Sequence, residues 1–161
     1  SLDADAFDVV TAGQCWHWFD GAAAAAEIRR LLIPGGRLII AHFDWLPLPG
    51  NMVAATEALI EEHNPAWTMG GGDGRYPDWQ SHLQRAGFTN FQESEFDLDV
   101  PYSHQDWLGR IRASAGVGGT LALEDVQRFD QAHAAMLKAD FPVEPLDIPH
   151  RIWWLTAVTP G

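Results

Sequence analysis

FDVVTAGQCWHWFDGAAAAAEIRRLLIPGGRLIIAHF, residues 7–43, decides the fold. Phe7 to Ala12 is a short, β-branched apolar run that ends at Gly13, the pattern of a buried strand. Gln14 to Asp20 holds Trp16, Trp18, Phe19 and a histidine, and reads as a loop or short turn. Asp20 stands where an N-cap belongs, just before Gly21 and a run of alanines. Alanine has the highest intrinsic helix propensity, and Ile28, Leu31 and Leu32 add an apolar stripe. A helix is therefore expected over Ala22 to Leu32. Pro34-Gly35-Gly36 stops it and reverses the chain, because proline cannot continue a helix and glycine turns freely. Arg37 to Phe43 follows as a second strand. Both strands are apolar on both faces, as a central parallel sheet requires, and a right-handed βαβ crossover should join them. The fold class is α/β.

Working outward, Asp44 to Gly50 is a loop stiffened by Pro47 and Pro49. Asn51 can cap a helix reaching about His63, with Val53, Leu59 and Ile60 inward. Asn64 to Pro77 contains the run Gly70-Gly71-Gly72-Asp73-Gly74 and reads as a flexible loop. Asp78 is placed to cap a helix ending at Ala86, where Gly87 is a stop signal. Phe88 to Leu98 reads as a strand. His104 to Ala113 and Leu121 to Ala139 read as helices. The second carries Leu123, Val126, Phe129, His133, Met136 and Leu137 at three- and four-residue steps. Ile152 to Val158 is the last strand, with Trp153 and Trp154 as core packing. There is no internal repeat.

The chain's 161 residues suit one domain, residues 1–161, and 47% hydrophobic residues suffice for a packed core. Twenty-two acidic residues against ten basic ones give a net charge of −12. That balance argues against a nucleic-acid partner, whose phosphates need a basic face, and against a basic membrane-surface helix. The single cysteine, Cys15, excludes an internal disulfide and a multi-cysteine metal site, and no basic neighbours activate it as a nucleophile. The seven histidines show no metal-ligand spacing, so no metal is expected. No apolar run reaches the ~20 residues that span a bilayer, and the first residues lack a signal-peptide pattern. A cytoplasmic location is expected.

Three local signatures occur in order: FDVVTAGQCWHWFD at 7–20, EIRRLLIPGGRLII at 27–40, and a later helix followed by AGF at 86–88 and a strand. Together they resemble the C-terminal half of a class I S-adenosylmethionine (SAM)-dependent methyltransferase, close to the methyltransferase type 11 and trans-aconitate methyltransferase-like group. The likeness covers about residues 1–100 well and the last 60 loosely. It implies a Rossmann-like sheet, mostly parallel, with an antiparallel edge. Four strands are expected, near 7–12, 37–43, 90–98 and 152–158, with 152–158 lying between 37–43 and 90–98. It also implies that the chain begins at the fourth strand of such a domain. The preceding βα units, with the glycine-rich cofactor loop and the ribose-binding acid, would then be absent.

In an open α/β sheet, ligands bind beyond the carboxyl ends of the strands. The resemblance places the methionine part of SAM at Ala12, Gly13 and Gln14. Trp16 to Phe19 would close one wall, with His17 and Trp18 as the contacts, since an indole face suits a sulfonium cation. The bland alternative is that these aromatics only pin the loop to the sheet. The PGG turn lies at the opposite end and is structural. Ala41 to Trp45 face the ligand edge and are candidates for the acceptor pocket. His42 and Asp44 read more readily as polar residues of a solvated loop than as catalytic groups. For a hydroxyl or acidic-carbon acceptor, His17 or His42 is the candidate base; a carboxylate acceptor needs none.

The implied function is SAM-dependent methyl transfer to a small-molecule acceptor by the parent protein. The chain alone would bind SAM weakly or not at all. The competing readings are a non-enzymatic half-domain that self-associates and, less favoured, half of a nicotinamide-dependent oxidoreductase. The aromatic segment and the lack of a Tyr/Lys catalytic pair oppose the last. Strand 7–12 carries no lysine, proline or bulge signal to protect an open edge, so a homodimer through residues 1–20 is expected.

Overall fold

The structure is a computed structural model and describes residues 2–161. Among the described residues, four strands and five α-helices follow one another as β1 (Phe7–Gly13), α1 (Gly21–Leu31), β2 (Leu32–Trp45), α2 (Met52–His63), α3 (Trp79–Arg85), β3 (Thr89–Tyr102), α4 (His104–Arg112), α5 (Leu123–Asp140) and β4 (Leu146–Val158). A single 3-10 turn, Trp16–Trp18, stands between β1 and α1. The fold is α/β, as expected.

The strands form one sheet in the order β1-β2-β4-β3. β1 and β2 run parallel, with Val9 opposite Arg37 and Gly13 opposite Ala41. Two backbone bonds set the sense of β4. Thr159 N–H donates to Gly36 O at one end (2.9 Å), and Leu46 N–H donates to Pro149 O at the other (2.8 Å). β4 is therefore antiparallel to β2. Thr89 Oγ1 donates to Val158 O (3.3 Å), and Tyr102 stacks on His150 with ring centroids 6.1 Å apart. β3 is therefore antiparallel to β4. The last strand lies between β2 and β3, as the family likeness implied.

Capping follows the sequence closely at two helices. The Asp20 carboxylate accepts from Ala22 N–H (3.1 Å) and Ala23 N–H (3.0 Å), and Asn51 accepts from Ala54 N–H (2.9 Å). These bonds satisfy N–H groups that a helix start leaves open. Asp78 holds the N-cap position of α3, but its side chain makes no capping bond.

Four expectations need correction. β1, read as a buried strand, is an outer strand of the sheet, and of its residues only Ala12 is buried. The PGG segment does not end one element before the next begins. Phe7 pairs with Leu32 and Val9 with Arg37, so residues 7 to 9 of β1 span 32 to 37 of β2. The surplus is extruded as a bulge, with Gly35 at φ 77°. β4 begins at Leu146 rather than Ile152. Pro149 discourages a strand reading because it has no N–H to donate, yet its carbonyl still accepts from Leu46 and keeps the strand in the sheet. Leu123, placed on the inner stripe of α5, is 73% exposed; the buried stripe is Val126, Phe129, His133 and Leu137.

The chain divides into two compact units. The first comprises residues 1–44, 74–96 and 151–161, and its core gathers Trp16, Leu32, Leu38, Ile40, Leu83, Phe88, Trp153 and Leu155. The second comprises residues 45–73 and 97–150, and its core gathers Val53, Ile60, Trp107, Ile111, Phe129 and Leu137. No helix among the described residues is long and apolar enough to cross a membrane.

Candidate functional site

The carboxyl ends of β1 and β2 lie side by side because the two strands are parallel and in register there, Ala12 opposite Ile40 and Gly13 opposite Ala41. Gln14 N–H extends the ladder by one bond, donating to Ala41 O (2.9 Å). The chain then leaves the sheet through Gln14, whose φ is 55°. That left-handed turn throws residues 15–19 across the strand ends.

Asp44 is the hub of what gathers there. Its Oδ1 accepts from Gln14 Nε2 (2.8 Å) and its Oδ2 from Tyr76 Oη (2.7 Å). His42 Nδ1 lies 3.4 Å from the same Oδ2, longer than a well-formed hydrogen bond. Gln14 is held at both ends of its amide, since its Oε1 accepts from Phe43 N–H (2.7 Å). Burial of Asp44 raises its pKa, but the His42, Tyr76 and Gln14 side chains outweigh this and hold it below the ordinary carboxylate value. Asp44 is thus an anion at neutral pH.

Around this hub is a cluster of rings. Tyr76 stacks on Trp79 with centroids 3.9 Å apart and planes 13° from parallel. The His42 ring is 4.6 Å from Tyr76, 4.9 Å from Trp79 and 5.2 Å from His17. Trp16 is buried, 6.5 Å from Trp79. His17 is half-buried; loss of solvent, and then the neighbouring His42, hold its pKa below the usual histidine value against the pull of Asp44.

The predicted residues are distributed as follows. Ala12 is buried, so it offers a ligand only its backbone. Gly13 is exposed, and a Cβ built on it meets nothing within 4 Å, so open space lies beside this strand end. Gln14 is exposed, but its amide is committed to Asp44 and Phe43. Trp18 is 60% exposed, with His17 packed 4.5 Å from it. His42 is 2% exposed and lies within β2, on the same face as Leu38 and Ile40. The solvated-loop reading of His42 is therefore wrong: the period of two along β2 turns it inward. Asp44 follows two residues later and is three-quarters buried by its partners.

Trp16 belongs to the aromatic wall expected from the sequence, whereas Tyr76 and Trp79 do not figure in that expectation. Tyr76 sits in a stretch whose glycines and Pro77 read as a flexible loop. The available signal was Pro77-Asp78 between two aromatics: the pair makes a turn in which Trp79 N–H donates to Tyr76 O (3.2 Å) and the two rings meet.

A depression of about 430 Å³ lies in the second unit, lined by residues of the Asn51–Met52 and Asp140–Ile148 segments. Its lining has the Asp140 and Asp147 carboxylates and apolar groups but no imidazole, hydroxyl or thiol, so the Asp44 cluster, with two histidines beside it, is the better candidate for chemistry.

Residues 1–40 match the methyltransferase domain family. An uncharacterized methyltransferase of Mycobacterium tuberculosis is 51% identical over 37 residues, 23% of this chain and 15% of that protein. An uncharacterized methyltransferase of Schizosaccharomyces pombe is 29% identical over 131 residues, 80% of this chain and 48% of that protein. The matched stretches thus span about half of the yeast relative and less of the mycobacterial one. Among solved structures, the YcgJ protein of Bacillus subtilis superposes on 99% of this chain and 67% of its own, with TM-score 0.55 and 18% identity. A protein of Anabaena variabilis, described as a putative methyltransferase from an antibiotic biosynthesis pathway, superposes on 96% and 68%, with TM-score 0.56 and 15% identity. Residues 1–40 therefore carry a recognisable stretch of the methyltransferase domain family, and the chain as a whole has the α/β fold found in solved methyltransferases of that kind.

Proposed function

We propose that this chain is the acceptor-side portion of a SAM-dependent methyltransferase acting on a small molecule in the cytoplasm. The observation that carries the proposal is the Asp44-centred cluster at the carboxyl ends of β1 and β2, where an α/β sheet places its ligand. The residues present fit one side of a site for the methionine end of SAM. Gly13 leaves its backbone open to a neighbour, and the exposed Trp18 indole offers a π face to a cation. Ala12 and Gly13 would line that side through their backbones, His17 and Trp18 through their rings. Gln14 fixes the turn that presents them. Bound SAM would supply an electrophilic methyl group. The chain's part is to hold the acceptor in line with it and, for a hydroxyl or acidic-carbon acceptor, to take a proton at His17 or His42.

No glycine-rich strand-to-helix loop is present in these 161 residues to hold the other side of the cofactor. The 161-residue chain by itself is therefore expected to bind SAM weakly or not at all. Isothermal calorimetry with SAM tests this. A low-micromolar dissociation constant would show that one wall suffices and would overturn the half-site reading.

A second reading, self-association, is favoured by the surface of β1. Leu2, Phe7 and Val9 are 59%, 37% and 50% exposed, and β1 is an outer strand of the sheet. An apolar outer strand is a template for another chain. A homodimer through residues 1–20 is the expected state. Sedimentation should give a dimer for the wild type and a monomer for Val9→Lys; a wild-type monomer at tens of micromolar removes this reading.

A further inference from the structure

The proposed methyl transfer leaves two histidines, His17 and His42, as possible proton acceptors. We infer that Asp44 is the positioning residue of His42. It fixes the ring proton on Nδ1 and leaves the Nε2 lone pair to receive a proton from a hydroxyl or amine acceptor. This inference rests on the methyltransferase reading for the reaction, but not for the geometry.

Asp44 can only accept hydrogen bonds. As an anion it has no proton to donate, and its two oxygens already face the donors Gln14 and Tyr76. The ring nitrogen turned toward it, His42 Nδ1, must therefore carry hydrogen to be tolerated at 3.4 Å. In a neutral imidazole the proton is then missing from Nε2, which becomes the acceptor. Among the described residues, both ring nitrogens of His42 are enclosed without a formed hydrogen bond, and what separates them is that Nδ1 has the Asp44 carboxylate 3.4 Å away. A buried polar atom without a partner calls for an explanation in a bound group or a catalytic role. His17 lacks this arrangement: it is half-buried, and the rings of Trp18 and His42 are its close neighbours. The His42 ring is enclosed by Tyr76, Trp79 and His17, with centroids 4.6, 4.9 and 5.2 Å away, so a ligand reaches Nε2 only by displacing one of these rings.

The step balances simply. The O–H proton of a hydroxyl acceptor, or an N–H proton of a protonated amine, passes to Nε2. The freed electron pair forms the new bond to the transferred methyl carbon, and the carbon–sulfur bond breaks with its pair left on sulfur. The resulting imidazolium has the Asp44 carboxylate as counter-ion. A carboxylate acceptor, already ionised, would gain nothing from Nε2. The arrangement therefore points to acceptors that must give up a proton.

Long-range ¹H–¹⁵N correlation spectra of the ¹⁵N-histidine-labelled 161-residue chain test the inference without any cofactor. The expected result is that the neutral His42 ring is the Nδ1-protonated tautomer. In Asp44→Asn, the amide must use its NH₂ on one side, and His42 should shift to the Nε2-protonated form, as loss of a triad aspartate shifts the tautomer in serine proteases. Tyr76→Phe keeps the carboxylate and should keep the wild-type tautomer, which rules out a general loosening of the cluster. Phenol should move the His42 Nε2 resonance, and benzoate at the same concentration should not. An Nε2-protonated wild type, or the reverse response to the two probes, or none to either, overturns the inference. Should Asp44→Asn fail to fold, the wild-type tautomer and the two probes decide it. SAM calorimetry is independent of all three, so failure here is distinguishable from failure of the methyltransferase reading.

Discussion

His133 on α5 makes acid stability a direct test of the second unit's core. Its side chain is fully buried. Thr56 Oγ1 accepts from Trp107 Nε1 (3.2 Å), lies 3.2 Å from His133 Nε2 and donates toward Met52 Sδ (3.3 Å). A hydroxyl has one proton. With that proton directed at sulfur, His133 Nε2 must be the donor to Thr56, and Nδ1 is left as a buried lone pair with no partner among the described residues. Protonating the ring would put an N–H⁺ there with nothing beside it to accept. Burial accordingly lowers the pKa to about 4, against the attraction of Asp130.

In the unfolded chain the same ring titrates near 6.5. A histidine whose folded pKa is lowered adds no pH dependence above that value, where both states are neutral. Below it the unfolded state takes up the proton first, and stability falls until the folded pKa is reached. The loss is RT times the logarithm of the ratio of the two binding polynomials, about 2 kcal/mol between pH 7.5 and pH 5. In urea this corresponds to a midpoint lower by about 1 M, taking a slope of about 2 kcal/mol/M. His133→Gln keeps a polar partner for Thr56 and cannot titrate. The measurement is the difference between wild type and variant in their pH 7.5-to-5 midpoint shifts, in which the other titrating groups cancel. Equal shifts in the two proteins would show that His133 is not buried neutral, and the tautomer argument would fall with it.

Two further outcomes follow from packing in the first unit. A Cβ on Gly21, the first residue of α1, would lie 2.1 Å from His82 Nδ1 on α3. Gly21→Ala should thus lose about 1–3 kcal/mol by overpacking, although alanine is the better helix former. Gly21→Ala with His82→Ala should recover most of it; a single variant as stable as wild type in thermal melts would refute the close approach. Trp16 is 1% exposed and anchors the 3-10 turn on the core. Trp16→Ala should cost about 3–5 kcal/mol and release Trp18 fluorescence toward that of a solvated indole; a loss under 1 kcal/mol by urea titration would show that the turn is held without it.

The strand–helix–strand unit was legible because each of its cues is local. Asp20 caps the alanine helix through its own neighbours, and β1 and β2 are apolar on both faces. The order of the four strands was legible only through family likeness, since nothing in Ile152 to Val158 says which strand it will pair with. The length of β4 was not legible: Pro149 is read locally as a break, while its carbonyl is rescued by Leu46, a partner about a hundred residues away in sequence.

The sequence by itself determined where the carboxyl edge of the parallel pair lies. The carboxyl ends of two parallel strands follow from hydrophobic runs and one helix between them. It also supplied His17, His42 and Asp44 as residues at that edge. Only the tertiary structure decided what those residues are to one another. The register of β2 turns His42 inward, the αL turn at Gln14 clasps Asp44, and the chain returns at Tyr76, which stacks on Trp79, to complete the hub. The reason is physical. Periodicity and caps act over three or four residues and can be read along the chain. A carboxylate's donors are chosen in space, and those of Asp44 come from positions 30 residues before it and 32 residues after it.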